Sequence, residues 1–164
     1  MIYVVFFIPL GITVLLESTW LTHVQIFGVR PDFVLIVVTW IAHKTGTQQG
    51  QVTAFVGGLV EDALSIAPPG FHAIIRLVNG AVIGSTRGSI MYDPPLTPLL
   101  LVGIALFLRW PTALVLANLF GLMEAADRLV SSQSVVHALI TLVFAPLIFQ
   151  ILDRVLGSQE RNIR

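Results

Sequence analysis

The chain is 164 residues long, with 55% hydrophobic residues and only 11% charged ones. A soluble domain carries about 25% charged residues, so this composition excludes an ordinary water-soluble domain and predicts a membrane protein. Nine Lys and Arg residues balance nine Asp and Glu residues, which excludes a strongly basic surface for nucleic acid. The chain has no cysteine, so disulfides and thiolate chemistry are excluded as well.

Apolar runs along the whole chain predict an all-α membrane protein with a single polytopic transmembrane domain over residues 1–164. The first run, MIYVVFFIPLGITVLL, lacks a basic leader and a cleavage site, so we interpret it as a retained helix. Six transmembrane helices are predicted, near residues 2–21, 32–44, 50–66, 70–88, 96–124 and 135–155. The segments HKTGTQQGQ (43–51) and SIAPPG (65–70) are predicted as turns. Pro111 is expected to kink or break the long fifth helix.

The distribution of basic residues between the loops predicts the orientation of these helices. With six helices, one side of the membrane carries Lys44, Arg87, Arg154, Arg161 and Arg164. The opposite side carries Arg30 and Arg128. Because Lys and Arg accumulate in cytoplasmic loops, both termini are predicted to be cytoplasmic.

Several charged residues of the predicted helices share one depth, in the outer half of the bundle. This group comprises Glu17, Glu61, Asp62, His72 and Arg76, and Arg109, Glu124, Asp127 and Arg128 also lie toward the outer side. A charge costs about 2.5–3.5 kcal/mol at the bilayer centre, so each of them is expected to have a partner or water.

Asp62 and Arg76 are predicted to pair, because helices 3 and 4 form a hairpin over a short turn. Adjacent residues of a helix point about 100° apart, so Glu61 and Asp62 cannot both face one partner. Asp62 shares a face with Gly58 and Ala54, small residues suited to a helix contact, and is expected to point into the bundle. Glu61 is then expected to face another helix, a cavity or a partner protein.

Three roles stay open for these outer charges. They fix the register of the helices by pairing, they line an outward-facing cavity that binds a ligand, or they form a docking surface for a partner's transmembrane helix. A proton relay through Glu17, Asp62 and His72 is a further alternative.

Glycine and proline positions suggest structural roles. Gly80, Gly84 and Gly88 repeat at four-residue spacing along helix 4, and with Gly58 on helix 3 they predict close helix packing. Pro31 and Asp32 open helix 2, where a proline suits the first turn and an acid caps the helix. The histidines show no paired-ligand spacing and no nucleotide or hydrolase motif is present, so no metal, cofactor or catalytic residue is predicted.

The stretch from residue 29 to residue 84 resembles the MreD family of bacterial rod shape-determining membrane proteins. The resemblance depends on Pro31 and Asp32 opening an apolar helix, on Gly46 and Gly50 in the following turn, on a glycine-rich helix ending at Asp62, and on the Pro69-Gly70 turn that leads into another apolar helix. The second half of the chain matches the family in hydropathy and length only. Glu61 departs from the family, which usually carries an apolar residue there, so no role is carried over to it.

The resemblance implies an inner-membrane protein of the cell-elongation (Rod) machinery that is not an enzyme. Members of the family work with MreC, with MreB filaments, and with the RodA glycosyltransferase and its class B penicillin-binding protein. It also implies a fold similar to the S components of energy-coupling-factor transporters, which have six helices and cytoplasmic termini.

Three functional hypotheses follow. The first is a scaffold that binds MreC through the outer half of helices including 3 and 4 and supports peptidoglycan synthesis. The alternative is an S component of a vitamin transporter; S components commonly dock through an Ala-x-x-x-Ala pattern in the first helix, and YVVFFIPLGITVLLESTW contains no alanine. The third, a membrane enzyme acting on lipid-linked substrates, would need a convergent acid and base set.

Overall fold

A computed structural model describes residues 2–19, 29–90, 93, 96–122 and 132–160, and this part of the chain is helical. Its helices are α1 (Ile2–Thr19), α2 (Phe33–Thr45), α3 (Thr47–Leu64), α4 (Phe71–Ser85), α5 (Leu96–Leu119) and α6 (Ser132–Glu160). The prediction of six helices is confirmed for the described residues. The end predicted at residues 20–21 lies outside them, whereas the fifth helix, predicted to reach residue 124, ends at Leu119.

The predicted turn over residues 43–51 is wrong, because α2 and α3 are separated by Gly46 alone. Gly46 has a φ of +91°, a left-handed conformation that favours glycine, and its N–H donates to the Ala42 carbonyl at 2.9 Å. Arg87 stabilises the same end of α2 by donating from Nη1 to the Thr45 carbonyl at 2.7 Å. The polar residues after Gly46 therefore begin a helix directly.

The fifth helix is continuous, so the alternative in which Pro111 breaks it is wrong. A proline removes one backbone donor from a helix, and a nearby hydroxyl often compensates in membrane helices. The carbonyl that loses its donor at Pro111 is that of Phe107; the Thr112 hydroxyl donates to the adjacent Leu108 carbonyl at 2.8 Å.

Helix α2 is the centre of the bundle and packs against each of the other five helices. Every residue from Val34 to His43 is buried, including the large side chain of Trp40. With 13 residues at about 1.5 Å each, α2 is about 20 Å long, shorter than the roughly 30 Å hydrocarbon core of a bilayer. A short, fully covered helix thus carries the core, while the longer helices surround it.

Helices α3 and α4 form a hairpin in which small residues allow backbone contact. A Cβ on Gly80 would lie 2.6 Å from the Gly50 carbonyl oxygen, and one on Gly84 would lie 2.6 Å from the Thr47 Cα. A Cβ on Gly58 would overlap the backbone of Ala73. These three glycines therefore lie where the two helices touch. The expectation fails for Gly88, because α4 ends at Ser85 and nothing lies within 4 Å of a Cβ built there.

The outer faces of the bundle are apolar, which suits a lipid environment. Large hydrophobic side chains point outward from α1, α5 and α6; examples are Ile12, Phe107, Val115, Val143 and Val155. Two segments, Leu96–Leu119 and Gln133–Leu156, are long and apolar enough to cross a membrane. Shorter apolar helices lie at Phe7–Glu17, Phe33–Thr45 and Phe71–Ser85.

Candidate functional site

The charged side chains of four helices and of the residue before α2 converge into a network that we call the Asp32 cluster. Its members are Glu17 of α1, Asp32 at the start of α2, Glu61 of α3, Arg76 of α4 and Arg109 of α5. Arg76 and Asp32 are almost completely buried, with side chains 4% exposed. The cluster is thus an ionic core inside an otherwise apolar bundle.

Arg76 is held by two carboxylates. Its Nε and Nη2 donate to Glu61 Oε2 at 2.9 Å and Oε1 at 2.6 Å, which is a bidentate pair. Its Nη2 also donates to Asp32 Oδ1 at 2.7 Å. The predicted pair between Asp62 and Arg76 is therefore wrong, and Glu61, which had no assigned role, is the direct partner of Arg76.

Asp32 is the hub of the cluster. One oxygen, Oδ1, accepts from the Leu35 N–H at 2.7 Å and so caps α2, while Oδ2 accepts from Arg109 Nη1 at 2.7 Å. The backbone N–H of Asp32 donates to the Thr141 hydroxyl at 3.0 Å, which connects α6 as well. The capping role predicted for Asp32 is present, and the ion pairs with both arginines are an addition that the sequence did not indicate.

Glu17 joins α1 to this network. Its Oε2 accepts from the Val34 N–H at 3.1 Å, and its carboxylate lies within 4.8 Å of those of Asp32 and Glu61. Three carboxylates so close are a geometry that can hold a metal ion. Asp32 and Glu61 are already bonded to guanidinium groups, however, and a cation would have to displace these arginines. The arrangement therefore favours an ion-pair network over a metal centre.

Asp62 has a different function from its neighbour: it anchors the first turn of α4. Its oxygens accept from the backbone N–H groups of Gly70 at 2.8 Å, His72 at 2.9 Å and Ala73 at 3.2 Å. The Nδ1 of His72 donates to Oδ1 at 2.9 Å. A carboxylate at a helix N-terminus satisfies free N–H groups and complements the helix dipole. Gly70 permits this turn with a φ of +96°.

The outer residues selected from the sequence thus form two groups. Glu17, Glu61 and Arg76 belong to the Asp32 cluster, whereas Asp62 and His72 close the hairpin between α3 and α4. Of the two other members, Arg109 was placed toward the outer side from the sequence without a partner, and Asp32 was interpreted only as a helix cap. Arg109 lies within an apolar helix, and such a residue requires an acidic partner at the same depth, which is the signal that could have identified Asp32. The predicted outer residues Glu124, Asp127 and Arg128 lie outside the described residues.

A second polar group, which we call the Lys44 cluster, lies at the opposite end of α2 and consists of Trp40, Lys44 and Asp153. Lys44 Nζ lies 3.0 Å from Asp153 Oδ1, and Trp40 Nε1 donates to the same oxygen at 3.0 Å. Nearby, Nδ1 of His43 lies 3.1 Å from the Thr86 hydroxyl, which itself donates to the Ile83 carbonyl. The two ends of α2 are therefore both fastened to α4 and to α6.

An apolar exterior around a buried ionic core defines an α-helical membrane protein whose internal charges bond mainly to one another. A family model described as rod shape-determining protein MreD matches residues 1–155. The chain therefore belongs to the MreD family, and the resemblance drawn from the sequence is confirmed. This is a membrane-protein family with a role in rod shape determination, and it is not known as an enzyme family. No curated protein and no solved structure matches the chain. The alternative of a transporter S component has no support from these comparisons.

Proposed function

We propose that the chain is a non-enzymatic scaffold of the bacterial cell-elongation (Rod) complex. In this proposal it forms a single polytopic domain in the inner membrane with both termini in the cytoplasm. It binds MreC and supports peptidoglycan synthesis by RodA and a class B penicillin-binding protein, with an indirect connection to MreB. The match to the MreD family, whose members are membrane proteins of rod shape determination, supports this role.

The Asp32 cluster is the observation that carries this proposal. Arg76 is bonded to both Asp32 and Glu61, and each bond joins a different pair of elements. General acid–base catalysis needs a group that is within reach of a substrate and able to exchange a proton with it. Carboxylates that are bonded to buried guanidinium groups are suited to holding the helices in place and not to exchanging a proton with a substrate. A rigid bundle that presents fixed surfaces is what a scaffold requires.

The two ends of α2 support the proposed orientation. Lys44 and Arg87, two of the residues assigned to the cytoplasmic side, both lie near the C-terminal end of α2, where Arg87 bonds to Thr45. The Asp32 cluster lies at the opposite end of that helix. Helices α2 and α4 consequently run in the same direction. This agrees with a polytopic protein in which successive spans alternate in direction, so that spans 2 and 4 are parallel.

We place the MreC contact at the outer tip of the α3–α4 hairpin. Ile66, in the turn after α3, is completely exposed, and Leu64 beside it is about half exposed at 53%. The same turn is held rigidly by Asp62, so the apolar side chains are presented in a fixed position. An exposed apolar residue on a rigid turn beside polar groups is suited to a protein partner.

Co-purification of MreC with variants of this chain tests the proposal. Ile66→Asp is expected to reduce the recovered MreC strongly, because a charge replaces the apolar contact. Ser89→Asp is the matched control, since Ser89 is exposed in the turn that follows α4 at the other end of the hairpin. Both variants should reach the membrane and keep the thermal stability of the parent chain. Full recovery of MreC with Ile66→Asp would place the contact elsewhere on the molecule.

A further inference from the structure

The contact between α2 and α4 contains a line of polar side chains. At one end, Arg76 donates to Asp32 at 2.7 Å, and at the other end His43 lies 3.1 Å from Thr86. These two contacts are 11 residues apart on α2 and 10 residues apart on α4, so the helices run in parallel with matching rise. We call the contact between them the α2–α4 seam.

Thr39 and Asn79 lie on this seam between its two ends. Thr39 follows Asp32 by seven residues and precedes His43 by four, separations that return to the same face of a helix. Asn79 follows Arg76 by three residues and precedes Thr86 by seven, so it belongs to the face of α4 that meets α2. Both residues are buried, with 1% of their surface exposed.

The seam also holds the unpartnered polar atoms of the structure. In the described part of the chain, the buried side-chain atoms without a hydrogen-bond partner are Thr39 Oγ1, Asn79 Oδ1, Asn79 Nδ2 and Arg76 Nη1. Buried polar atoms are bonded in the great majority of cases, to protein or to ordered water. All four atoms belong to three residues of α2 and α4 whose spacing assigns them to the α2–α4 seam, which favours a shared ligand.

We propose that the α2–α4 seam binds internal water molecules, which bridge Thr39 to Asn79 and reach Arg76 Nη1. The orphan atoms include donors (Arg76 Nη1 and Asn79 Nδ2), an acceptor (Asn79 Oδ1) and a hydroxyl, so the ligand must donate and accept at once. A buried water makes about three such bonds and fits small spaces between packed side chains. Leu35 and Ile36 lie one helical turn before Thr39, and Ile83 lies one turn after Asn79; all three are fully buried, so the seam lies inside the bundle.

The charge of Arg76 is met by Asp32 and Glu61, so the seam does not require an ion. Hydration of the seam connects the Asp32 cluster to the middle of α2 through hydrogen bonds. The ionic core is then continuous with a polar line inside the bundle, while the outer faces stay apolar.

NMR of the full chain in lipid nanodiscs tests this proposal, because the chain has three asparagines, Asn79, Asn118 and Asn162. Selective ¹⁵N labelling of asparagine gives one pair of side-chain NH₂ signals for each of them, and Asn79→Leu identifies the pair of Asn79 by its loss. The Asn79 amide protons are expected to show cross-relaxation with the sign of a long-lived bound water. Asn118, which is exposed and donates to the Leu114 carbonyl, reports ordinary surface contact.

Two threonine variants separate bound water from a general loosening of the bundle. Thr39→Val removes the hydroxyl but keeps the shape, and it should shift the Asn79 signal and weaken its water contact. Thr53→Val is the control, because the buried Thr53 hydroxyl already donates to the Gln49 carbonyl at 2.8 Å. Absence of the water signal at a resolved Asn79 amide would overturn the proposal. An experimental structure in which Asn79 bonds only to protein atoms would overturn it as well.

Discussion

Both ends of α2 are joined to neighbouring helices by polar clusters, but the two clusters differ in burial. At its N-terminus the Asp32 cluster joins buried carboxylates and guanidinium groups, with the Arg76 and Asp32 side chains only 4% exposed. At its C-terminus the Lys44 cluster uses one ion pair whose side chains are 24% and 25% exposed. Exposed ion pairs contribute little to stability, whereas a buried charge that loses its partner is costly.

This difference matters because the two clusters are separated by only about 20 Å, the length of α2. A hydrocarbon core of roughly 30 Å is thicker, so both clusters cannot lie at its two surfaces unless the bilayer thins. The more completely buried Asp32 cluster is the one built to lie at depth. The partly exposed Lys44 cluster is suited to the interface between the membrane and water. The comparison therefore predicts unequal effects of mutation at the two ends.

Arg76→Gln is expected to have the largest effect. It removes both bonds to Glu61 and the bond to Asp32, and it leaves the Glu61 carboxylate without a cation. Loss of one partner of a buried pair costs about 3–5 kcal/mol. Thermal unfolding of the purified protein in detergent measures the loss, and a marked fall in the melting temperature is expected.

The double exchange Glu61→Arg with Arg76→Glu is the control for this effect. If the loss comes from direct pairing, the double variant should recover part of the stability that either single change removes. Equal instability of the single and double variants would show that the pair with Glu61 does not by itself explain the loss, since the exchange also removes the bond from Arg76 to Asp32.

Asp62→Ala tests the neighbouring residue, which has no bond to the Asp32 cluster. It removes the acceptor of three backbone N–H groups at the start of α4. Loss of a helix cap costs about 0.5–2 kcal/mol, so the variant should be destabilised less than Arg76→Gln. Asp62→Asn, which keeps one acceptor oxygen, should lie between Asp62→Ala and the parent chain in the same unfolding assay. An effect of Asp62→Ala as large as that of Arg76→Gln would contradict this ordering.

The sequence predicted the helices and the hairpin turn at 65–70, since these depend on hydropathy and chain order. It could not predict which acid meets Arg76. The 100° between Glu61 and Asp62 separates their directions, but the rotation of α3 against α4 is set by the glycine contacts. Local rules also explained Asp32 fully as a helix cap, and only the folded chain brings it to Arg76 and Arg109.

The same limit applies to what the outer residues do for a partner. Their roles in binding MreC stay a prediction, because burial and internal bonds explain most of the charges without any partner.

The polar turn at 43–51 was predicted from composition, yet a single left-handed glycine suffices there. Polarity alone does not separate a loop from the first turn of a helix.

Glu17→Gln should have a smaller effect and the opposite sign. Glu17 lies within 4.8 Å of two other carboxylates, and a neutral amide removes this repulsion. The amide oxygen can still accept from the Val34 N–H, as the carboxylate does at 3.1 Å. We expect the melting temperature to stay equal or rise, whereas Glu17→Ala should lower it because a backbone donor loses its partner, at about 1 kcal/mol. A fall with Glu17→Gln as large as with Glu17→Ala would show that the charge itself is needed.

Lys44→Gln should have the smallest effect and completes the comparison between the two ends of α2. The ion pair with Asp153 is partly exposed, and pairs of this kind contribute about 0–1 kcal/mol. Asp153 keeps the hydrogen bond from Trp40 Nε1 when Lys44 is replaced, so the carboxylate is not left without a donor. In the unfolding assay Lys44→Gln should stay close to the parent chain. A loss approaching that of Arg76→Gln would mean that the Lys44 cluster is shielded from water as completely as the Asp32 cluster. Both clusters would then lie inside the hydrocarbon core, and no local thinning of the bilayer would be required.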